Sequence, residues 1–286
     1  MMPVWSGMPT RPGPALLPHH RHHWVARAMF RVTICGVTTP ADARMVAAAG
    51  ADAVGLNFVT GSPRCLTVAA ARSVAEALPR GVLRIGVFAG TEPAAVAAIA
   101  AAVGLDAIQF HGHLAPPAPG APNPCWDPPG VCRAVAPHPV IRACRLRADG
   151  PAAAALDEAR GWVAAALAAG GGPALLLIDA GAPAGVAPAG LGGTGLVVDW
   201  ERFVAAGDPG LPVALAGGLT PDNVAAAIAA TGVQAVDTAS GVESAPGRKD
   251  PERVRAFVSR ALGAFAARAG GSPGSGRAPF RFPSDG

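Results

Sequence analysis

The stretch of sequence that decides the fold reads VALAGGLTPDNVAAAIAATGVQAVD, residues 213–237. It opens with a short apolar run, turns through Gly217 and Gly218, continues as an alanine-rich helical stretch and ends in a second apolar run. A strand, a helix and a second strand in this order form a unit whose two strands lie parallel in one sheet. The same alternation extends outward over most of the chain, so the sequence predicts an α/β fold of the (βα)8 TIM-barrel class.

Eight strands and eight helices are predicted in this way. The predicted strands are 31–35, 53–58, 83–88, 107–110, 140–144, 174–179, 213–216 and 235–237. The predicted helices are about 40–49, 67–78, 92–103, 129–136, 151–169, 199–206, 221–231 and 250–267. Several begin with a capping residue before proline, as in Thr39-Pro40, Thr220-Pro221 and Asp250-Pro251. Barrels of this class use about 250 residues, so one domain accounts for the chain.

The ends of the chain have a different composition from the predicted barrel. Residues 1–28 are rich in proline and histidine and lack apolar periodicity, which predicts a disordered leader. We place the barrel at 29–268 and expect a flexible tail at 269–286. Within the barrel, about 113–130 contains seven prolines and predicts a long loop after the fourth strand.

Composition narrows the possible functions before any motif is considered. The net charge is +4, with one lysine and no tyrosine, which does not fit a nucleic-acid-binding protein. The apolar stretches are shorter than the roughly 18 residues of a membrane span. The five cysteines form no CxxC pair, which indicates reduced thiols. We therefore expect a soluble, cytoplasmic protein that binds a small anion, with no nucleic-acid or membrane partner.

Three glycine-rich turns follow the last three predicted strands. They contain Gly192, Gly193, Thr194 and Gly195, then Gly217 and Gly218, and finally Ser240 and Gly241. Glycine lets backbone N–H groups approach a phosphate closely, and barrels commonly bind phosphate after strands seven and eight. A single such turn is more often structural, but three in these positions favour a phosphate site.

Cys35 and Asp179 stand at the ends of the predicted strands one and six. Catalytic side chains of barrels concentrate at the carboxyl ends of the strands, so the two residues are candidates for a proton-transfer pair. Alternatively, the cysteine is a packed small apolar residue and the aspartate a turn residue. A thiol acts as a base only where positive potential favours the thiolate.

A series of motifs resembles phosphoribosylanthranilate isomerase. These motifs are ICGVT at 34–38, GADAVG at 50–55, SPR at 62–64, GVF at 86–88, QFHG at 109–112, GGTG at 192–195 with Asp199-Trp200, AGGLTP at 216–221 and SGVE at 240–243. They occur in the family's order across residues 31 to about 258. Several are common in barrels, but together they are specific.

The resemblance implies an Amadori rearrangement of N-(5'-phosphoribosyl)anthranilate to 1-(o-carboxyphenylamino)-1-deoxyribulose 5-phosphate, in tryptophan biosynthesis, without cofactor or metal. It implies that Asp179 protonates the ribose ring oxygen, that Cys35 removes the C2' proton and that Arg64 holds the anthranilate carboxylate. We expect a monomer or a homodimer. The substrate-binding residues are then Arg64, Gln109, His111, Gly192, Gly193, Thr194, Gly195, Gly217, Gly218, Ser240 and Gly241.

Four positions depart from the usual family residues, and two other functions stay open. Relatives usually carry lysine at Thr33, an apolar or aromatic residue at Cys65, an acidic residue at His113 and serine at Ala239. Loss of the lysine weakens the expected cationic support of the base. The alternatives are another phosphoribosyl-handling barrel, which would carry aspartate or lysine bases in place of Cys35, and a barrel that only binds sugar phosphates.

Overall fold

Eight parallel strands close into a barrel in the order in which they occur along the chain. The structure is a computed structural model that describes residues 30–113, 126–147, 149–181 and 197–270. The strands are β1 (Val32–Cys35), β2 (Ala53–Asn57), β3 (Leu83–Phe88), β4 (Ala107–Phe110), β5 (Val140–Arg147), β6 (Leu175–Gly181), β7 (Val213–Leu215) and β8 (Ala235–Thr238). β8 pairs with β1, so the sheet has no edge and the predicted (βα)8 fold is confirmed.

In the described part of the chain, eight α-helices alternate with the strands and cover the outside of the barrel. They are α1 (Pro40–Ala48), α2 (Val68–Glu76), α3 (Pro93–Val103), α4 (Val131–Ala134), α5 (Ala152–Ala168), α6 (Trp200–Ala205), α7 (Val224–Thr231) and α8 (Pro251–Gly270). Thr39 caps α1 through a hydrogen bond from Asp42 N at 3.0 Å, and Asp250 accepts from the first turn of α8. These two caps lie where the sequence predicted them.

The predicted start of α7 is wrong by three residues. The Asn223 side chain accepts from Thr220 N at 2.8 Å and donates to Gly218 O at 2.9 Å. These bonds hold residues 221–223 in a turn, so the helix begins at Val224 and its preceding loop stays close to the glycine turn.

A short hairpin that the sequence analysis did not predict follows β8. It consists of a 3-10 turn (Ser240–Val242), β9 (Glu243–Ala245) and β10 (Arg248–Lys249), which pair antiparallel. Strands this short carry too few residues for an apolar alternation. The hairpin returns the chain to the carboxyl ends of β8 and β1.

Residues alternate between two cores along each strand. Ile34, Val54 and Ile178 point outward and pack with the helices. A smaller cluster fills the barrel interior, where small and large side chains interlock: Ala53, Ile85, Ala107, Ile141, Ala143, Leu175, Leu177, Ala214 and Ala235. Because alternation has a period of two, Cys35, Gln109, Asp179 and Asp237 all lie on the inward face.

Candidate active site

The inward-facing polar residues occupy the carboxyl end of the barrel, above the apolar interior. Gln109, Asp179 and Asp237 are each less than a tenth exposed, and Cys35 is partly buried. Polar groups at this depth are retained where they form hydrogen bonds or perform chemistry. This end of the barrel, hereafter the mouth, therefore contains the candidate site that the sequence analysis expected from Cys35 and Asp179.

Cys35 has space beside it because the neighbouring strand carries a glycine. A Cβ at Gly55 would lie 2.7 Å from the Cys35 Sγ, so any larger residue on β2 would displace the thiol. Desolvation by the surrounding protein raises the pKa of Cys35, and the charge of Asp237 raises it further. The positive charges of Lys249 and Arg64 act in the opposite direction. The free thiol is thus protonated at neutral pH.

Asp179 on β6 is held by His111, which follows β4. His111 Nε2 lies 3.0 Å from Asp179 Oδ2, and Ala180 N donates to Asp179 Oδ1 at 2.8 Å. Burial acts to raise the pKa of Asp179, but the hydrogen bond with His111 and the neighbouring charges lower it below its usual value. Burial lowers the pKa of His111 itself. The pair is therefore a neutral imidazole that donates Nε2–H to a carboxylate.

Arg64 is part of a buried network with the hairpin after β8. Its Nε and one terminal nitrogen bind the two carboxylate oxygens of Glu243 at 2.8 and 2.6 Å. Lys249 Nζ donates to Glu243 Oε1 at 2.8 Å and to Ala239 O at 2.9 Å. Two cations and one anion therefore lie beside Cys35, which gives the mouth a positive side.

Gly36 permits the position of Arg64. Gly36 has φ 72°, and a Cβ there would overlap the Cδ of Arg64. The arginine stem consequently crosses directly over the residue that follows Cys35. Lys249 is the only lysine in the chain, and it lies on this side of the mouth.

The glycine turns after β7 and β8 approach each other closely. Gly217 and Gly218 both have positive φ, at 77° and 64°. Thr238 Oγ1 donates to Leu219 O at 2.7 Å, and a Cβ at Gly241 would overlap the same carbonyl oxygen. Side chains are therefore not tolerated where the two turns meet, and backbone groups line this part of the mouth. The predicted turn of Gly192, Gly193, Thr194 and Gly195 lies outside the described residues.

A second buried network supports the β4 to β6 side from outside the barrel. Arg142 is fully buried, and it donates to Phe110 O at 2.7 Å, Gly112 O at 2.9 Å and His113 O at 2.8 Å. Its guanidinium also pairs with Asp127 Oδ2 at 3.3 Å and lies over the Trp162 ring.

Asp127 links this network to two further backbone segments. Its carboxylate accepts from Gly90 N and Gly112 N, each at 2.7 Å. The network thereby fixes the segment carrying His111 and the two described ends of the predicted 113–130 loop.

Sequence reasoning missed three residues of the mouth. Glu243, Lys249 and Asp237 are all buried, but no role was predicted for any of them. The only available signal was weak: Lys249 is the single lysine, and Asp237 ends a strand as Asp179 does. Their partners lie far away in sequence, as with Arg64 and Glu243.

Comparison with known proteins identifies relatives over most of the chain. The family model described as N-(5'phosphoribosyl)anthranilate (PRA) isomerase matches residues 32–119 and 158–260. The N-(5'-phosphoribosyl)anthranilate isomerase of Acidithiobacillus ferrooxidans is 42% identical over 238 residues, covering 82% of this chain and 98% of the relative. The N-(5'-phosphoribosyl)anthranilate isomerase of Myxococcus xanthus is 41% identical over 228 residues, which cover 80% of this chain and 94% of the relative.

Solved structures of such enzymes have the same architecture. Phosphoribosyl anthranilate isomerase from Thermotoga maritima is 32% identical, with a TM-score of 0.65 over 82% of this chain and 100% of that one. A phosphoribosyl anthranilate isomerase in complex with reduced 1-(o-carboxyphenylamino)-1-deoxyribulose 5-phosphate is 30% identical. Its TM-score is 0.64, and the match covers 82% of this chain and 100% of that one. Among the described residues, no helix has the length and apolarity needed to cross a bilayer.

Proposed function

This chain belongs to the N-(5'-phosphoribosyl)anthranilate isomerase family, and on that premise we propose how its residues divide the reaction. It is an aldose-ketose isomerase of tryptophan biosynthesis that rearranges N-(5'-phosphoribosyl)anthranilate to 1-(o-carboxyphenylamino)-1-deoxyribulose 5-phosphate. Cys35 is the general base and Asp179 the general acid. The observation that carries this assignment is that both side chains face inward at the same mouth, from strands β1 and β6 that are not neighbours.

Asp179 opens the ribose ring by protonating its ring oxygen. In the free enzyme His111 keeps the Asp179 carboxylate ionised, so the acid must acquire its proton when substrate binds. The substrate brings a carboxylate and a phosphate into the mouth, and nearby negative charge raises the pKa of a carboxyl group. His111 then acts as the hydrogen-bonding residue that orients the Asp179 carboxyl toward the ring oxygen.

Cys35 removes the C2' proton from the ring-opened Schiff base. Its thiol lies in the mouth beside Gly55, and the stem of Arg64 passes over the adjacent Gly36. The cations Lys249 and Arg64 favour the thiolate. Together they supply the positive potential that a lysine at position 33 would otherwise contribute.

Arg64 binds the anthranilate carboxylate while it remains paired with Glu243. Glu243 occupies Nε and one terminal nitrogen, so the substrate carboxylate binds the other terminal nitrogen. Glu243 and Lys249 hold the guanidinium in place before substrate arrives. A cation fixed in this way loses little conformational entropy on binding.

The phosphate binds to backbone N–H groups of the glycine turns. Gly217, Gly218, Ser240 and Gly241 line the described part of this site, and Gly192, Gly193, Thr194 and Gly195 complete it. Backbone donors suit a phosphate because they point at the anion at fixed positions. Gln109 is buried on the inward face and contacts the substrate from β4.

The assignment of the base is tested by following the loss of substrate fluorescence. Freshly prepared N-(5'-phosphoribosyl)anthranilate should be consumed by the wild-type protein, and Cys35→Ser should lower turnover by at least about a hundredfold. Cys65→Ser is the matched control, because Cys65 is exposed. Near-normal turnover in Cys35→Ser, with Cys65→Ser also active, would refute the role of Cys35.

We also propose that the protein works in the cytoplasm as a monomer or homodimer. Its biosynthetic activity and the dimeric phosphoribosylanthranilate isomerase of Thermotoga maritima support this proposal. Analytical ultracentrifugation across a hundredfold concentration range would distinguish the two assembly states.

A further inference from the structure

Two buried oxygen atoms on the inward faces of β1 and β8 have no hydrogen-bond partner among the described residues. Thr33 and Asp237 are directly opposite each other in the register of these strands. Thr33 Oγ1 and Asp237 Oδ1 are the two atoms, and the residues are 3% and 7% exposed. Leaving a buried carboxylate oxygen without a donor destabilises the folded state, so such a group needs an explanation beyond packing.

The neighbours of Asp237 place it beside the proposed base. Cys35 lies two residues after Thr33 on the same inward face of β1, which makes it a diagonal neighbour of Asp237. The other charged groups that act on Asp237 are Asp179 from β6 and Lys249 from β10. On the inward side, β7 and the residue after it contribute only the apolar Ala214 and Ala216. The thiol and the carboxyl therefore share one corner of the mouth.

We propose that Asp237 is the proton acceptor of Cys35, so that the two side chains hold one proton and one negative charge between them in the active enzyme. This inference rests on the proposed role of Cys35 as the base. Asp237 acts through Cys35 and is in that sense a positioning residue for the reaction.

The proton balance of the steps up to removal of the C2' proton is complete with this pair. The S–H bond of Cys35 breaks and an O–H bond forms on Asp237, so the negative charge moves from oxygen to sulfur. The thiolate then takes the C2' proton and becomes a thiol again, while the C2'–H electron pair neutralises the Schiff-base nitrogen. Asp237 has gained one proton and Asp179 has given one to the ring oxygen. Giving its proton returns Asp179 to the carboxylate of the free enzyme, and Asp237 releases its additional proton to solvent.

The electrostatics of the corner fit a shared proton. Burial raises the pKa of Asp237, and the charge of Asp179 raises it further, to about 7, although Lys249 opposes this shift. The Asp237 charge is in turn a cause of the raised pKa of Cys35, so protonation of Asp237 removes repulsion from the thiolate. A carboxyl that titrates near neutral pH exchanges protons readily at working pH.

A thiol that shares one proton with a carboxyl forms thiolate with a different pH dependence from an isolated thiol. Above about pH 7 the pair holds a single proton, because burial of the thiol and repulsion by the Asp237 charge delay loss of the second. The thiolate population is then constant over the following pH interval. A lone buried thiol behaves differently, because its thiolate population rises about tenfold for each pH unit until its pKa is reached.

The experiment measures alkylation of Cys35 by iodoacetamide in the full chain as a function of pH, with modified peptides resolved by mass spectrometry. In wild type the rate should rise to about pH 7 and then stay level to about pH 9. In Asp237→Asn it should instead rise about tenfold per unit across this interval. The exposed Cys65 serves as the internal reference in every sample.

Further variants make the result decisive. Asp237→Glu, which keeps a carboxyl, should keep a level region. Asp52→Asn is the matched control, because Asp52 binds Arg31 N and Val32 N at the opposite end of β1, and it should show the wild-type profile. A level region in Asp237→Asn overturns the proposal. So does a wild-type rate that rises tenfold per unit throughout, which is decisive even if Asp237→Asn fails to fold.

The readout also separates this inference from the proposed function, because alkylation requires no substrate. Activity in Cys35→Ser would remove Cys35 from the reaction and leave the alkylation profile as it is. In contrast, an alkylation profile without a level region would leave Cys35 as the base and remove only Asp237.

Discussion

Asp179 and Asp237 are the same residue type at the same depth in the mouth, on strands separated only by β7, and their environments give them opposite properties. Both are 7% exposed and face inward, from β6 and β8. Asp179 has a partner for each oxygen, His111 and Ala180 N, and its pKa is lowered. Asp237 has an oxygen without a partner among the described residues, and its pKa is raised to about 7. Hydrogen bonding, rather than depth, therefore decides which carboxyl is ionised.

The two sides also differ in how they are supported. On the β4 to β6 side, the Arg142–Asp127 network lies outside the barrel and fixes backbone carbonyls around His111. On the β8 to β1 side, Arg64, Glu243 and Lys249 form their network at the mouth itself. The first network thus stabilises the fold, whereas the second takes part in the site. Substitutions in the Arg142–Asp127 network should therefore lower stability, whereas substitutions of Arg64 should weaken binding.

The largest effect is expected on turnover from Asp179→Asn. The amide keeps the shape of the side chain but cannot donate a carboxyl proton to the ring oxygen. Turnover should fall by about a hundred- to ten-thousandfold, while the affinity for the product changes little. Steady-state kinetics and calorimetric titration with product measure the two quantities. Equal turnover in the variant would mean that another group is the acid.

The next effect is on stability, from Arg142→Leu. Removing one member of a buried ion pair leaves Asp127 buried and charged, which destabilises a protein by about 3 to 5 kcal/mol. Urea denaturation measures the change in the free energy of unfolding. Arg260→Leu is the control, because its pair with Asp222 is exposed, and it should change stability by less than about 0.5 kcal/mol. Equal effects of the two substitutions would contradict the structural role of the Arg142 network.

A smaller effect is expected on binding, from Arg64→Ala. A charge-assisted contact contributes roughly 1.5 to 3 kcal/mol, so the product should bind about ten- to over a hundredfold more weakly. Ribulose 5-phosphate lacks the anthranilate carboxylate and should bind wild type and variant alike. Calorimetry with both ligands makes the comparison. If both ligands lose affinity equally, Arg64 supports the hairpin or the phosphate site instead of the carboxylate.

The smallest effect is on the pH dependence of stability, from His111→Gln. The folded-state pKa of Asp179 is lowered, so its contribution to stability is present above the unfolded value of about 3.9 and is lost as pH falls through the folded value. His111→Gln should destabilise the protein by about 1 kcal/mol at pH 6 and by less at low pH. Denaturation at several pH values measures the difference. A pH-independent difference would show that His111 acts by packing alone.

Local sequence patterns predicted some residues of this site but not the residues that they contact. Cys35 and Asp179 were predicted because each ends an apolar run, and parallel strands place their carboxyl ends together. The hydrogen-bond partners of Asp179 and Arg64 were not predicted, because the pairs His111–Asp179 and Arg64–Glu243 join residues 68 and 179 positions apart. Local patterns contain no information about contacts at such separations.

The sequence by itself determined the alternation of strands and helices, the closed barrel of eight units and the inward faces of its strands. The physical reason is that apolar periodicity and glycine turns act over a few residues, and a sheet of eight βα units closes on itself. Only the tertiary structure decided which charges meet at the mouth. Register and burial placed His111 and Ala180 N against the two oxygens of Asp179, and they left Asp237 Oδ1 without a hydrogen-bond partner among the described residues. That difference sets the ionisation of the two carboxyls, because it depends on desolvation and hydrogen bonds that exist only once the barrel has closed.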